Sequence, residues 1–490
     1  MTRQYGLLRN GAAAGSGHFE NQDGLSLLFD YGDGLRPIEG RFTLVAHPQR
    51  RHAPRLAFEF LPAHPHLITL HAEVLIQAQA RLVGTTDEGI PFAAGPIMDA
   101  RHQADITPTE ISLRLLIEAR EVTLGTVGPC DRLRAYLSNT PASSAMRSTD
   151  ETVLLDAHTG ETLRLRRVPA YKRISQRAEE GGSVAYMTIA TLFSPNGAAL
   201  DPLRAADTLN LAKWLLRFGT AQMVFLPEVV AAVGSRPIWH RVARIPGVAW
   251  AINSPVFNEF HCVYPESGLL PFVAAGYPIL AALPPKRQQA IKTAIDMYVH
   301  AQSGVPYPIP VYDIAYAFEV LREAFLSTDE QCYIGSEAAR KRHAKRIQTL
   351  VRDSVLTENF YAEHMATMDP SQRVAARQAL ESNLFSRCKT IFDIPFRDNL
   401  KLLLNKQGIV VPTADDGRDW IDAFVSIRNK CVHGSWEPTA GQQHTSGLQP
   451  HLDRATALLE VLLLKLLGYR GWYWDRATHT DRPVPSSESA

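Results

Sequence analysis

Residues 284–325 read PPKRQQAIKTAIDMYVHAQSGVPYPIPVYDIAYAFEVLREAF, and the hydrophobic period of the chain changes at this stretch. Apolar residues at positions 311, 314, 318, 321 and 325 recur at steps of three or four, which is the spacing of one face of an α-helix. The stretch therefore predicts the start of a helical domain. We place the main domain boundary at Pro285.

The residues before this boundary show the pattern of β-strands. Apolar residues come in short runs broken by Gly, Pro, Asp and Asn, for example at 40–46, 67–75 and 184–190. One helix is predicted at 203–218, and short strands at 223–226 and 238–243 follow it. Several strands separated by turns favour an antiparallel sandwich or barrel. We expect residues 1–285 to form a β-rich region, and a division into two subdomains near Asp150 or Leu203 stays open.

Beyond the boundary the helical period continues almost to the end of the chain. Helices are predicted at 286–300, 311–325, 334–356, 372–392, 397–405, 413–432 and 451–467. The predicted fold class is therefore α+β, with a β-rich N-terminal region followed by an all-α bundle at 286–476. A disordered tail is expected at 477–490.

The composition excludes several classes of protein. Of 490 residues, 51 are Lys or Arg and 50 are Asp or Glu, which gives a formal net charge of +1. The chain therefore cannot bind nucleic acid through its overall charge, and such binding would need a local basic patch. Five cysteines without a C-x-x-C pair fit neither a disulfide framework nor a zinc finger. His64, His66 and His71 lack Cys or acidic partners nearby, so neither a metal nor a cofactor is expected. Without a signal peptide or an apolar span, we expect a cytoplasmic protein with no membrane contact.

One stretch carries residues suited to chemistry. Residues 419–434 read DWIDAFVSIRNKCVHG, with Arg428, Asn429 and His433 at the end of an amphipathic helix. At about 100° per residue, Asn429 and His433 lie about 40° apart, and Arg428 is offset by about 140° but has a long side chain. The three side chains can therefore converge on one small anion.

This combination is uncommon in a chain of this composition. With 40 Arg and 17 His, about 1.4 R-x4-H pairs are expected by chance, and requiring Asn after the Arg lowers this number to about 0.03. The phosphate-binding motif G-x-x-x-x-G-K-[ST], the zinc motif H-E-x-x-H and the hydrolase motif G-x-S-x-G are absent from the sequence. The R-N-x-x-x-H motif is therefore the informative one.

An R-N-x-x-x-H motif at the end of a helix in an α-helical bundle, followed by a Leu-rich last helix, resembles the HEPN superfamily of ribonucleases and RNA-binding proteins. A β-rich region of this length before such a domain resembles the ApeA-like HEPN proteins of bacterial anti-phage defence. The resemblance covers about 286–476, and its specific part is Arg428, Asn429 and His433. The match of the N-terminal region rests on arrangement alone.

The resemblance implies a metal-independent endoribonuclease in which the ribose 2′-OH attacks the adjacent phosphate. His433 would act as general acid and base, Arg428 as phosphate clamp, and Asn429 would orient the imidazole or the phosphate. A homodimer, or a higher homo-oligomer, with one composite site per dimer is implied. The protein would act in abortive infection. Its substrate would be RNA, with transfer RNA as the first choice, and its N-terminal region would sense a phage-derived trigger.

Two further sets of residues are candidates. The run of Arg340, Lys341, Arg342, Lys345 and Arg346 on a predicted helix would bind RNA phosphates, or else form a solvated helix face. Glu319 would orient Arg428, or else be an ordinary surface carboxylate.

Three alternative interpretations remain open. Arg428 and His433 could cap a helix end without chemistry. The domain could be a non-catalytic HEPN-type RNA-binding or dimerisation module, with ligand recognition in the N-terminal region. A ligand-binding enzyme with its site in the β-rich region is the third.

Overall fold

A computed structural model of the protein describes residues 12–23, 25–30, 35–45, 54–60, 74–106, 111–138, 150–155, 160–168, 186–194, 196–244, 256–257, 267–390, 392–413, 417–432 and 448–485. The chain divides into two compact units. The first comprises Met1–Leu283, Tyr298–Pro306 and Leu464–Val484, and the second comprises Pro284–Met297, Tyr307–Leu463 and Pro485–Ala490. Strands dominate the N-terminal region and helices the C-terminal region, so the α+β prediction is confirmed.

Six antiparallel strands form a closed barrel in the first unit. In chain order, the strands described as far as Gly125 are β1 (Ala12–Glu20), β2 (Leu28–Asp30), β3 (Leu35–Pro37), β4 (Glu39–Val45), β5 (Arg55–Phe60), β6 (Arg81–Thr86), β7 (Pro91–Ile106) and β8 (Ile111–Gly125). The barrel order is β8-β5-β4-β1-β6-β7, and β7 pairs back with β8 to close it. Strands β2 and β3 form a separate hairpin.

Aromatic side chains fill the barrel, and glycines let its strands approach closely. Phe42 stacks on Phe92 with ring centroids 4.0 Å apart, and both are almost completely buried. A Cβ atom on Gly84 would lie 2.1 Å from the backbone oxygen of Ser16, so β1 and β6 can take their observed spacing only because residue 84 is glycine.

The sheet continues beyond the barrel because one edge of β8 pairs with two strands in succession, β5 and β14. Residues 115–118 of β8 pair with β5, and residues 121–125 pair with β14. The remaining strands of this sheet are β9 (Arg132–Ser138), β10 (Asp150–Leu154), β11 (Thr162–Arg167), β12 (Tyr186–Phe193), β13 (Phe225–Val233) and β14 (Arg236–Ala243). They follow β8 in the order β14-β13-β9-β12-β11-β10.

Two helices of the first unit pack together beside this sheet. Helix α1 (Pro202–Thr220) is capped by Asp201, whose carboxylate accepts a hydrogen bond from the backbone of Leu203 at 3.1 Å. The helix predicted at 203–218 is therefore confirmed. Helix α2 (Leu269–Ala282) contacts α1, and Tyr277 donates a hydrogen bond to Thr208 at 3.2 Å. Helix α2 was not predicted, because Pro271 and Pro278 interrupt the helical pattern.

The second unit is helical. Its elements include α3 (Pro285–Gln302), α4 (Ile309–Phe325), α5 (Glu337–Ser354), α6 (Glu358–His364), α7 (Pro370–Thr390), α8 (Phe396–Lys406), α9 (Trp420–Val432) and α10 (Gln449–Leu466). Helices α4, α8 and α9 pack on one another around fully buried side chains such as Phe318, Leu403 and Phe424. The last turns of α3 and α10 belong to the first unit.

Residues 333–392, which we call the arm, form an excursion between α4 and α8. Two backbone hydrogen bonds close its base, from Tyr333 to Phe392 at 2.8 Å and from Ile394 to Gln331 at 2.9 Å. Helices α5, α6 and α7 of the arm share a small core around Leu356, Tyr361 and Met365. The arm is therefore a small helical subdomain with its own core.

The predictions at the C-terminal end and at 67–75 need correction. Strands β15 (Trp472–Asp475) and β16 (Thr480–Pro483) form a hairpin, so the predicted disordered tail is wrong as far as Val484, which is buried. The segment belongs to the first unit because the Tyr469 hydroxyl accepts a hydrogen bond from the backbone of Gly268 at 3.1 Å and donates one to Trp472. The domain predicted at 286–476 also differs from the second unit, because Tyr298–Pro306 and Leu464–Val484 belong to the first unit. Of the strand predicted at 67–75, residues 74 and 75 are helical and the rest lies outside the described residues.

Candidate functional site

The helix that carries the motif begins later than the sequence predicts. We predicted a start at Thr413, but α9 begins at Trp420, where the Asp419 carboxylate accepts a hydrogen bond from the backbone of Asp422 at 2.7 Å. Lys401 of α8 lies 2.6 Å from Asp419 and 2.9 Å from Asp422. Burial acts to raise the pKa of Asp419, but the hydrogen bonds from Lys401 and from the Asp422 backbone outweigh it, so the pKa is lowered. The cap and the cation thus fix the start of α9.

Helix α4 runs antiparallel to α9 and holds its last turn. The Tyr312 hydroxyl donates a hydrogen bond to the backbone oxygen of Cys431 at 2.9 Å. Two turns away, Phe318 meets Phe424 edge to face with ring centroids 6.2 Å apart. The end of α9, where the motif lies, is therefore supported by the first turn of α4.

The structure brings Arg428 and Asn429 together in this last turn. The guanidinium of Arg428 donates a hydrogen bond to the side-chain oxygen of Asn429 at 3.2 Å, and it lies 5.9 Å from the ring centroid of Phe396 on α8. Arg428 is half-buried and Asn429 is exposed. Within the described part of the chain, Arg428 makes no ion pair with a carboxylate. Its positive charge is therefore held in place and available to an anion.

His433 lies outside the described residues, immediately after Val432, the last described residue of α9. Its distance from Arg428 is therefore given by chain spacing alone. Consecutive Cα atoms are about 3.8 Å apart, so His433 follows directly on the last turn of α9, which carries Arg428.

The structure does not bring Glu319 to Arg428. The Glu319 carboxylate accepts a hydrogen bond from Arg322 at 3.3 Å on the same helix, and it has no contact with Arg428. In the antiparallel register set by Tyr312 and Phe318, the acidic residue of α4 at the level of Asn429 is Asp313, which is 9% exposed. Asp313 was not among the residues predicted for the site, although a buried acid beside a stripe of core positions is a recognisable signal.

The basic run of α5 separates into structural and exposed residues. Arg340 donates hydrogen bonds to the backbone oxygens of Ile334 at 2.7 Å and Gly335 at 2.8 Å, and its side chain is 12% exposed. Its guanidinium therefore secures the start of the arm. The remaining four side chains of the run are exposed. Lys341 pairs with Glu337. The other three make no ion pair within the described ranges: Arg342, Lys345 and Arg346.

Two further observations concern the whole described part of the chain. No group of three His, Cys, Asp or Glu side chains there is placed to hold a metal ion. No helix there combines the length and the apolar character needed to cross a membrane. His64, His66 and His71 lie outside the described residues.

No family model, no curated protein and no solved structure matches this chain. The resemblance to the HEPN superfamily therefore rests on Arg428, Asn429 and His433 and on the order of the helices, and the activity that it implies stays a prediction.

Proposed function

We propose that this protein is a metal-independent endoribonuclease of the HEPN type, with Arg428, Asn429 and His433 as its catalytic residues. The observation that carries the proposal is the guanidinium of Arg428 at the end of α9, which has no carboxylate partner among the described residues and lies next to Asn429 and close in the chain to His433. A half-buried arginine guanidinium is suited to bind a phosphate in two hydrogen bonds.

The chemistry follows from these residue types. His433 takes the proton from the ribose 2′-OH, which attacks the adjacent phosphorus, and the bond to the 5′ oxygen of the next nucleotide breaks. The leaving 5′ oxygen takes a proton from an imidazolium, so the products are a 2′,3′-cyclic phosphate and a 5′-hydroxyl, and no metal or water is consumed in this step. Arg428 stabilises the negative charge that builds on the phosphoryl oxygens.

The arm supports RNA as the substrate class. Its exposed cations Arg342, Lys345 and Arg346 form a basic row on α5, as expected of a surface that contacts phosphates. Transfer RNA is our first choice, because its loops offer single-stranded bases that can enter a site.

The double variant Arg342→Glu/Arg346→Glu tests the arm. We expect it to weaken RNA binding at low salt and to reduce the slope of log affinity against log salt by about 2. The matched control is Arg236→Glu/Arg244→Glu on β14 and just after it, with the same charge change at exposed positions. Affinity should be measured by fluorescence anisotropy over a salt series. Equal losses in both variants would contradict a specific role of the arm.

A homodimer is part of the proposal, since a composite site needs two motifs. Exposed apolar side chains surround the end of α9: Tyr316 of α4 is 52% exposed, Ile309 38%, Tyr312 36%, and Val432 of α9 46%. Tyr312 and Tyr316 are one helical turn apart and share a face. A second copy of this chain would bury these side chains beside both motifs.

The variant Tyr316→Glu tests this interface. A charge in the centre of a buried apolar contact is costly, so we expect the dimer to dissociate and RNA cleavage to fall with it. The matched control Tyr333→Glu introduces the same charge at a tyrosine that is 65% exposed at the base of the arm. Light scattering after size-exclusion chromatography gives the mass of each variant, and a dimeric Tyr316→Glu protein would refute this surface.

The proposed biological role is that of an abortive-infection effector, in which the N-terminal region senses a phage-derived trigger. The test of the activity is incubation of the purified protein with total cellular RNA in excess EDTA, followed by mapping of fragment ends. We expect discrete fragments with 2′,3′-cyclic phosphate ends, absent with Arg428→Ala/His433→Ala. RNA that is bound but stays intact, with or without lysate of phage-infected cells, would instead favour the non-catalytic RNA-binding module.

A further inference from the structure

A cavity of about 350 Å³ lies on the sheet of the first unit, outside the candidate ribonuclease site. Four arginines from two strands line it: Arg132 and Arg134 of β9, and Arg164 and Arg166 of β11. Asp131 is the carboxylate in the lining. The cavity therefore has a marked excess of positive charge, although the chain as a whole is nearly neutral.

The strand order explains how the arginines meet. Strand β12 lies between β9 and β11, and its Thr191 is the cross-strand neighbour of Arg134 on one side and of Arg164 on the other. With strands about 4.8 Å apart, the backbones of these two arginines are about 10 Å apart. The alternate residues Leu133 and Ala135 are fully buried, so the arginines of β9 occupy the other face of the sheet. The two long side chains thus flank a gap of the width that a phosphate needs.

Not all of these charges are used within the protein. Arg164 makes two hydrogen bonds to Asp150, one of them at 2.6 Å, and Arg132 lies 3.9 Å from Asp131. Arg134 makes no ion pair within the described residues, and Arg166 lies opposite Asp150 on the neighbouring strand. The Nε atom of Arg134 is buried and has no hydrogen-bond partner there. Asp150 therefore orients Arg164, while Arg134 has donors available to a ligand.

A buried hydroxyl and an aromatic ring complete the lining. Ser194 is 8% exposed, and its Oγ atom has no hydrogen-bond partner among the described residues. Buried hydroxyls in proteins are normally hydrogen-bonded, so a ligand atom is the natural partner of this one. Phe193 is half-buried beside Arg132 on the neighbouring strand, where a flat ring can stack on it.

We propose that this cavity binds a nucleotide. The phosphates lie between Arg134, Arg164 and Arg166, the base stacks on Phe193, and Ser194 hydrogen-bonds to a polar atom of the sugar or base. A volume of about 350 Å³ is within the range of small-molecule sites and exceeds what a bare phosphate would need. The site is separate from the motif of α9, so it does not depend on ribonuclease activity.

Isothermal titration of the full-length protein with ATP, GTP, CTP and UTP in EDTA tests the proposal. We expect at least one of these nucleotides to bind with a stoichiometry of one per chain. The corresponding nucleoside, which lacks phosphate, should bind at least about tenfold more weakly. Arg134→Ala and Ser194→Ala should each weaken binding by about tenfold or more, whereas Arg236→Ala, an exposed arginine on β14, should leave it unchanged.

Arg134→Lys keeps the charge but loses the planar fork, and it should also bind more weakly, which provides a second variant if alanine impairs folding. Absence of binding by all four nucleotides at millimolar concentration would overturn the proposal, as would unchanged affinity in a folded Arg134→Ala or Arg134→Lys protein. Tighter binding of octauridylate than of every mononucleotide, lost in the same variants, would overturn it in favour of a nucleic-acid strand. Arg428→Ala should leave nucleotide affinity unchanged, which separates this result from that of the ribonuclease test.

Discussion

Replacing His433 or Arg428 by alanine is expected to lower the rate of RNA cleavage by about 10³-fold. His433→Ala removes the proposed general acid and base, and catalysis of this kind contributes about 10²–10⁴-fold. Arg428→Ala removes the proposed phosphate clamp, and loss of transition-state stabilisation of this kind has a similar effect. Single-turnover cleavage of a labelled RNA in EDTA measures both rates.

Two comparisons make this result specific. Arg428→Lys keeps a positive charge beside Asn429 but cannot bind a phosphate through a planar fork, so its rate should lie between those of the wild type and the alanine variant. Arg236→Ala is a matched control at an exposed arginine on β14, outside the arm, and its rate should equal that of the wild type. Cleavage that persists in His433→Ala would exclude the motif as the source of activity.

Leu403→Ala is expected to lower the free energy of unfolding of the helical unit by about 2–5 kcal/mol, because Leu403 is fully buried where α8 packs on α4 and α9. The neighbouring residue Leu402 is 38% exposed, and Leu402→Ala removes the same atoms from the surface. We expect that change to cost no more than about 0.5 kcal/mol. Urea unfolding followed by circular dichroism compares the two.

The pair of adjacent leucines is informative because residue type and helix are the same, and only the face of α8 differs. Equal destabilisation by the two variants would mean that α8 does not present the Leu403 face to α4 and α9. Since Phe396 of the same helix contacts Arg428, such a result would also remove the support that α8 gives to the candidate site.

The period of the sequence predicted most helices of the second unit and α1, since a helix is made by contacts three and four residues apart. Helix α2 escaped prediction because Pro278 lies inside it, and packing of α2 on α1 outweighs the cost of that proline. The start of α9 was placed seven residues early. The sequence predicted a start at Thr413, and only the fold shows that the helix is capped by Asp419, beside Lys401.

By itself, the sequence determined the α+β class, the position of most helices and the adjacency of Arg428 and Asn429 on one helix, because these depend on residues near one another in the chain. The tertiary structure decided which strands pair, as in the sharing of β8 between β5 and β14. It also placed Tyr312 and Phe396 against the motif helix, and brought Arg134 and Arg164 to the same cavity through the strand between them. These partners are 30 to more than 100 residues apart. Their pairing depends on which buried surfaces fit together, and no local pattern in the chain records that choice.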